Sequence, residues 1–331
     1  VTSPFDIEEM FPQDAVGAVR LPRRQSGNAP QGLAVTLLAD YTLRTRAWLP
    51  SAAITALLGE AGVSPGGART AISRLTRRGV LEGSRQGRTS SHRLTQPAAA
   101  HLSSGGSWIA SSASATRAWE GWWTLIAFSL PQEENTQRRA LRGQLRWLGY
   151  APLFDGLWVS PDGFTEQARA QLAEFNLGAM TVFQARHVEF AAAGGRNPVE
   201  AWDIPAIAAE YESFVGRWSA LLPRIRGGRI PGAEAVRART EVMDTYRRFP
   251  TLDPQLPLQL LPSGWLRQPA LEVFAAVYDG LAAVAEEHVR AVVARHADGA
   301  QLGISAHTVA DMLAGVRHGS SAEVPAPPHR L

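Results

Sequence analysis

The stretch Ser64–Leu94, SPGGARTAISRLTRRGVLEGSRQGRTSSHRL, constrains this chain most, because its apolar and basic residues separate cleanly onto opposite faces. Ala68, Ile72 and Leu75 fall at i, i+4 and i+7, the spacing of one helical face. Ser64 is placed to cap that helix, Pro65 suits its first position and Gly79 its end. The other face carries Arg69, Thr70, Ser73, Arg74 and Arg77, side chains that donate to base edges and phosphates in a major groove. After Gly79, Val80-Leu81 and His92-Arg93-Leu94 read as strand ends around a polar tip, Arg85-Gln86-Gly87-Arg88. Upstream, Ser51 opens a helix bearing Ile54, Leu57 and Leu58, and Gly62 closes it just before the cap at Ser64. Helix, short turn, capped second helix and basic hairpin predict a winged helix-turn-helix.

Charge supports a polyanionic partner. Between positions 44 and 93 the basic residues are Arg44, Arg46, Arg69, Arg74, Arg77, Arg78, Arg85, Arg88 and Arg93, against only Glu60 and Glu82. A solvated basic helix beside a surface hairpin has the same composition. The whole chain carries a net charge of only +3, so the excess is local. There is no cysteine and no lysine, which excludes disulfides, thiolate zinc sites, a P-loop lysine and Schiff-base chemistry. HExxH, GxSxG and GxGxxG are absent and the eight histidines are scattered, so no catalytic residue, metal site or cofactor is expected. No apolar run reaches bilayer length and the start, VTSPFDIEEMF, lacks a signal peptide's positive end, so the expected location is cytoplasmic.

The pattern elsewhere predicts an α+β chain in several parts. Residues 1–30 read as a flexible N-terminal arm and 31–100 as the DNA-binding domain, its first helix spanning Leu33 to Leu43. Residues 101–118, rich in Ser, Gly and Ala, read as a linker. Over 119–200, the run WWTLIAFSL, a helix from Asn135, a hairpin turning at Asp155-Gly156, a second helix and the run AMTVFQARHV give the order βαββαβ of a ferredoxin-like domain. Residues 201–300 read as an α-helical C-terminal domain, with a glycine-arginine connection over 224–232 and one long helix from Pro269 to Ala294. A C-terminal helix and disordered tail complete the chain over 301–331.

Three ordered runs carry a family resemblance. Leu37–Thr95 resembles the N-terminal winged helix of PaaX-family transcriptional repressors, in which Asp-Tyr (here Asp40-Tyr41) precedes the first turn and R-T-A-[VI]-S-R-L (here Arg69–Leu75) marks the recognition helix. Trp122–Pro161 and Tyr246–Trp265 agree with the same family. The resemblance implies a non-enzymatic repressor that binds a palindromic operator in double-stranded DNA as a homodimer. It also implies release by a small-molecule effector of acyl-CoA type, such as an aryl-CoA thioester.

On that reading Arg69, Thr70, Ser73, Arg74 and Arg77 meet bases and phosphates, and Arg85 and Arg88 grip the backbone or minor groove from the hairpin. An effector's phosphates and ring would be met by Arg138, Arg142, Trp147, Trp158, Arg247, Arg248 and Trp265, each of which also fits a solvated helix face or an ordinary core position. The middle unit resembles small CRISPR-associated ferredoxin-like nucleases as well, but Ser129 stands where their metal-binding aspartate follows the first strand. A hydroxyl is a poor magnesium ligand, which weighs against the alternative of a metal-dependent nuclease. A winged-helix module that binds a protein partner is the other alternative.

Overall fold

The computed structural model describes residues 29–316 except 88, 114–117, 130–134, 174, 176–178, 189–195 and 298–302. The expected arm, but for its last two residues, and the expected disordered tail lie outside the described residues. The chain is mixed α+β, with two antiparallel sheets. It divides into two units, one drawn from residues up to Ser114, Ser213–Leu252 and from Arg267 onward, the other from Ala115–Glu212 and Asp253–Leu266.

The first unit opens with α1 (Pro30–Thr42), strand β1 (Leu49–Pro50), α2 (Ser51–Glu60) and α3 (Pro65–Arg77), followed by the hairpin β2 (Leu81–Gln86) and β3 (Thr89–Leu94). Leu33, Leu37, Leu38 and Tyr41 of α1, Ile54, Leu57 and Leu58 of α2, and Ala68, Ile72 and Leu75 of α3 are all buried, as their spacing predicts. A strand not foreseen, β1, pairs with β3 and makes a three-stranded sheet in the order β1-β3-β2. Helix α4 (Gln96–Ser111), capped by Thr95, occupies residues 101–111 that composition marks as linker. It packs on α13 (Val309–Ala314), where Gly106 lets Met312 approach to within 3.7 Å of where a Cβ would stand, and Ser103 Oγ donates to Val316 O at 3.0 Å. Close packing of small side chains, not propensity, makes this segment helical.

The second unit contains β4 (Trp123–Phe128), α5 (Asn135–Trp147), β5 (Ala151–Phe154), β6 (Leu157–Ser160), α6 (Glu166–Ala173) and β7 (Met180–Ala185). The sheet order is β5-β6-β4-β7, antiparallel throughout. One core holds Ile126, Leu141, Leu145, Tyr150, Trp158 and Leu172; a second holds Trp123, Leu153 and Val159 with Trp119, Trp202 and Leu260 packed on them. Gly156, at φ +77°, turns the hairpin against Phe128 O, where a Cβ would stand only 2.7 Å away.

Helix α7 (Ile204–Ser219) leads back into the first unit, which continues with α8 (Leu222–Arg226), α9 (Gly232–Tyr246), α10 (Phe249–Leu252), α11 (Arg267–Gly280) and α12 (Ala282–Ala294) before α13. The glycine-arginine connection thus begins as a helix. The long helix expected over 269–294 is divided at Leu281 into two, and Gly280 beside that break packs so closely that a Cβ there would lie 2.8 Å from Ile225 Cγ2. Tyr246, Phe274 and Tyr278 stack in sequence, with centroids 4.2 and 5.2 Å apart.

At the end of that stack lies a buried polar cluster. Tyr278 Oη donates to Asp40 Oδ1 at 2.6 Å and lies 3.0 Å from His307 Nε2. With the hydroxyl proton given to the carboxylate, the imidazole donates its Nε2 proton to the Tyr278 oxygen. Arg239, fully buried, lies 3.6 Å above the Tyr278 ring and donates to the Tyr278 and His307 carbonyls. Burial raises the Asp40 carboxyl from 3.8 to about 6, against the opposing pull of Arg239 and Tyr278. Burial, aided by Arg239, lowers the His307 imidazole from 6.5 to about 4.

These two shifts act oppositely on stability. A carboxyl that binds its proton more tightly when folded adds stability as pH falls from about 6 to 3.8; an imidazole that gives up its proton on folding removes stability between pH 6.5 and 4. In the intact chain the two nearly cancel. His307→Gln leaves Asp40 alone, so its unfolding free energy should gain about 3 kcal/mol on wild type between pH 6.5 and 4. Urea unfolding at the two pH values checks this; a constant difference between variant and wild type contradicts it.

Candidate nucleic-acid interface

Helix α2 ends where Gly62 takes φ +83°, and Val63 N donates back to Leu58 O at 3.0 Å. Ser64 then caps α3, its Oγ accepting from Gly67 N at 3.1 Å, and Pro65 occupies the first helical position. At the far end Gly79, at φ +71°, reverses the chain and Val80 N donates to Leu75 O at 3.0 Å. Between these stops, Ala68, Ala71, Ile72 and Leu75 are each at most 5% exposed and hold the helix against α1, α2 and β2. Arg69, Thr70, Ser73, Arg74 and Arg77 are all exposed on the opposite side, and Arg78 joins them at the C-cap.

The hairpin pairs in register from Leu81 with Leu94 to Gln86 with Thr89, leaving a two-residue tip that begins at Gly87, φ +55°. Arg85 is exposed beside that tip, its Nε 3.4 Å from Gly87 O. Arg88 lies outside the described residues. Thr89 and Ser90 of β3 are exposed as well.

Ion pairing sorts the arginines that composition alone could not. Arg46, at a positive φ of 52°, donates to Leu94 O and Gln96 Oε1 and pairs with Glu82. Arg93 pairs with the same carboxylate at 2.7 Å and lies 4.5 Å over the Trp48 ring. Arg44 pairs with Asp311 at 2.7 Å, and Glu60 faces His288 Nε2 at 2.9 Å. Glu82 therefore fastens the hairpin's base. Arg69, Arg74, Arg77, Arg78 and Arg85 have no acidic partner among the described residues. Arg78 escapes the helical-face reading because it follows the last helical residue, although the adjacent pair Arg77-Arg78 was a signal for it.

The residues expected to hold an effector are spread over both units. In the second unit, Arg138 is half-buried, Arg142 pairs with Asp155 at 2.7 Å, and Trp147 is 42% exposed. Trp158 is 1% exposed inside the core, its ring 5.6 Å from the Arg146 guanidinium, so it offers a ligand little surface. Trp265 packs edge-on to Tyr211 at 5.7 Å, and its Nε1 lies 3.4 Å from Asp253 Oδ2, which also accepts from Tyr211 Oη at 2.9 Å. In the first unit, Arg247 pairs with Asp244 and Arg248 is half-buried. Ser129 sits exposed at the end of β4, its N–H donating to Ala179 O at 3.1 Å. Among the described residues no group of three or more His, Asp or Glu could hold a metal ion.

Known proteins match along most of the chain. Residues 29–98 match the family model described as PaaX-like protein, residues 116–195 the PaaX protein central Cas2-like domain, and residues 202–291 the PaaX-like protein C-terminal domain. The chain is similar to the transcriptional repressor PaaX of Escherichia coli (strain K12), 27% identical over 246 residues that cover 72% of this chain and 75% of that protein. Its fold is similar to that of the uncharacterized protein Rv0674 from Mycobacterium tuberculosis, with a TM-score of 0.53 and 20% identity over 80% of this chain and 98% of that one. The matches fall in the same order as the three runs that carry the resemblance, and the chain belongs to the PaaX family.

Proposed function

We propose that this chain is a transcriptional repressor that binds double-stranded DNA through a winged helix-turn-helix, with α3 as recognition helix and the β2–β3 hairpin as wing. The observation that carries the reading is the set of exposed arginines on α3 that lack an acidic partner among the described residues, opposite a face that is almost wholly buried. A guanidinium fork matches guanine O6 and N7 as well as phosphate oxygens. Arg69, Thr70, Ser73 and Arg74 read bases, while Arg77, Arg85 and Arg88 meet the backbone. The repressor name of the Escherichia coli relative supports this.

The middle unit, with its βαββαβ order, is a ferredoxin-like domain that serves assembly. Edge strand β7, Met180–Ala185, has no charged residue or proline and pairs with β4 without a bulge, and Phe183 on it is half exposed. The other edge, β5, is blunted by Pro152, a register shift and the Arg196 guanidinium on Leu153 O. A strand edge with none of these guards among the described residues favours antiparallel pairing with its own copy, an isologous contact that yields the two-fold symmetry a palindromic operator requires. An acyl-CoA-type effector would release the DNA by favouring a dimer whose two recognition helices no longer match the half-site spacing.

Selection of duplexes from a random pool provides the test. Arg69→Ala should cost about 1–3 kcal/mol on the selected duplex and far less on random DNA, whereas Arg85→Ala should weaken both alike. Equal losses on both for Arg69→Ala would remove its base-reading role. For assembly, Phe183→Lys should raise the self-association Kd by about tenfold or more in sedimentation velocity. An unchanged Kd would place the dimer contact elsewhere.

A further inference from the structure

Helix α1, which supports α3, ends in an unusual way. The last carbonyls of a helix have no partner within it and usually turn to solvent or to a local cap. Here the Asp40 and Tyr41 carbonyls accept from His307 N at 3.4 Å and Ser305 N at 2.9 Å, groups more than 260 residues away in sequence. Just beyond the helix, Thr45 Oγ1 donates to Gly303 O at 2.5 Å, and Arg44 pairs with Asp311. Gly303, at φ +95°, brings its backbone close enough to Thr45 that a Cβ there would lie 2.7 Å from the hydroxyl. The Asp40 side chain is held by Tyr278 of α11, and Arg239 of α9 fastens both the Tyr278 and His307 carbonyls.

We infer that the Tyr278 hydroxyl, with Arg239 behind it, is a positioning group for DNA recognition: it locks α1, and through α1 the recognition helix, to the C-terminal helices. The inference rests on the DNA-binding reading for its functional consequence, but the lock itself does not. Every tie but the peripheral Arg44–Asp311 pair and the Thr45 bond passes through residues at most 6% exposed or their neighbouring backbone. Tyr278 is their junction, touching α1 through Asp40, the 303–308 segment through His307 and α9 through Arg239. Movement of α9 or α11 is therefore transmitted to α1 as a change in its end contacts, without a hinge between them.

Tyr278→Phe in the full-length chain removes the hydroxyl and keeps the ring that stacks on Phe274. Hydrogen–deuterium exchange, at a temperature where the variant is fully folded, should quicken at least tenfold in residues 36–46 and 303–308 and stay unchanged in residues 285–293. Affinity for a duplex selected by the wild-type chain should fall fivefold or more, with random duplex changed less than twofold. Arg44→Ala, which cuts only the exposed tie, should show the same pattern more weakly and guards against loss of folding in the first variant. Unchanged exchange in residues 36–46 overturns the lock, and quickened exchange with unchanged affinity overturns its role in recognition. If the wild-type chain selects no duplex, the DNA-binding reading falls while the exchange result still decides the lock.

Discussion

What a guanidinium needs in order to be buried decides the layout of this protein. With no lysine, every fixed cation among its strongly basic residues is an arginine, a planar group with five donors that stays charged at any accessible pH. Arg239 meets most of the condition: two carbonyls take its terminal nitrogens, an aromatic face lies beneath it and Asp40 supplies a nearby countercharge, while its Nε–H has no partner among the described residues. Arg46 and Arg93 meet it in part by sharing Glu82. Arg69, Arg74 and Arg77 have nothing comparable and stand in solvent. The first group builds the frame. The second is available to a polyanion.

The same division explains why α3 faces as it does. Its four buried side chains are small or aliphatic, and each takes a place against α1, α2 or β2 that no charged residue could fill without a large desolvation cost. Arg74 and Arg77 also lie in the last turn, where the helix dipole favours positive charge. Orientation of the basic face is thus a consequence of core packing, and α1 carries that packing. Because α1 is in turn capped by residues from the far end of the chain, the basic face and the C-terminal helices belong to one unit.

Features governed by local rules were legible in the sequence. Ser64, Gly62, Gly79 and the i, i+4, i+7 spacing of Ala68, Ile72 and Leu75 place α3 almost to the residue, and Asp155-Gly156 marks the β5–β6 turn, where Gly156 takes φ +77°. Features set by distant contacts were not. Residues 101–111 look like a linker until Met312 and Val316 are brought beside them, and the break at Leu281 falls inside a continuous apolar pattern that gives no sign of it. Counting charge between positions 44 and 93 also overstated the basic surface, since the partner of Arg44, Asp311, lies 267 positions away. Asp40, Arg239, Tyr278 and His307 carry no shared motif at all; only the fold assembles them.

On the reading proposed above, exposed guanidiniums on α3 and its hairpin replace the counterions of a nucleic-acid backbone. Its most direct test is the affinity of the wild-type chain for duplex DNA across a series of salt concentrations. If Arg77, Arg85 and Arg88 meet phosphates in each of two copies, as proposed, the six contacts should make log K fall against log salt with a slope on the order of −5. A slope near zero, or no binding at low salt, would mean that these arginines do not meet a nucleic-acid backbone.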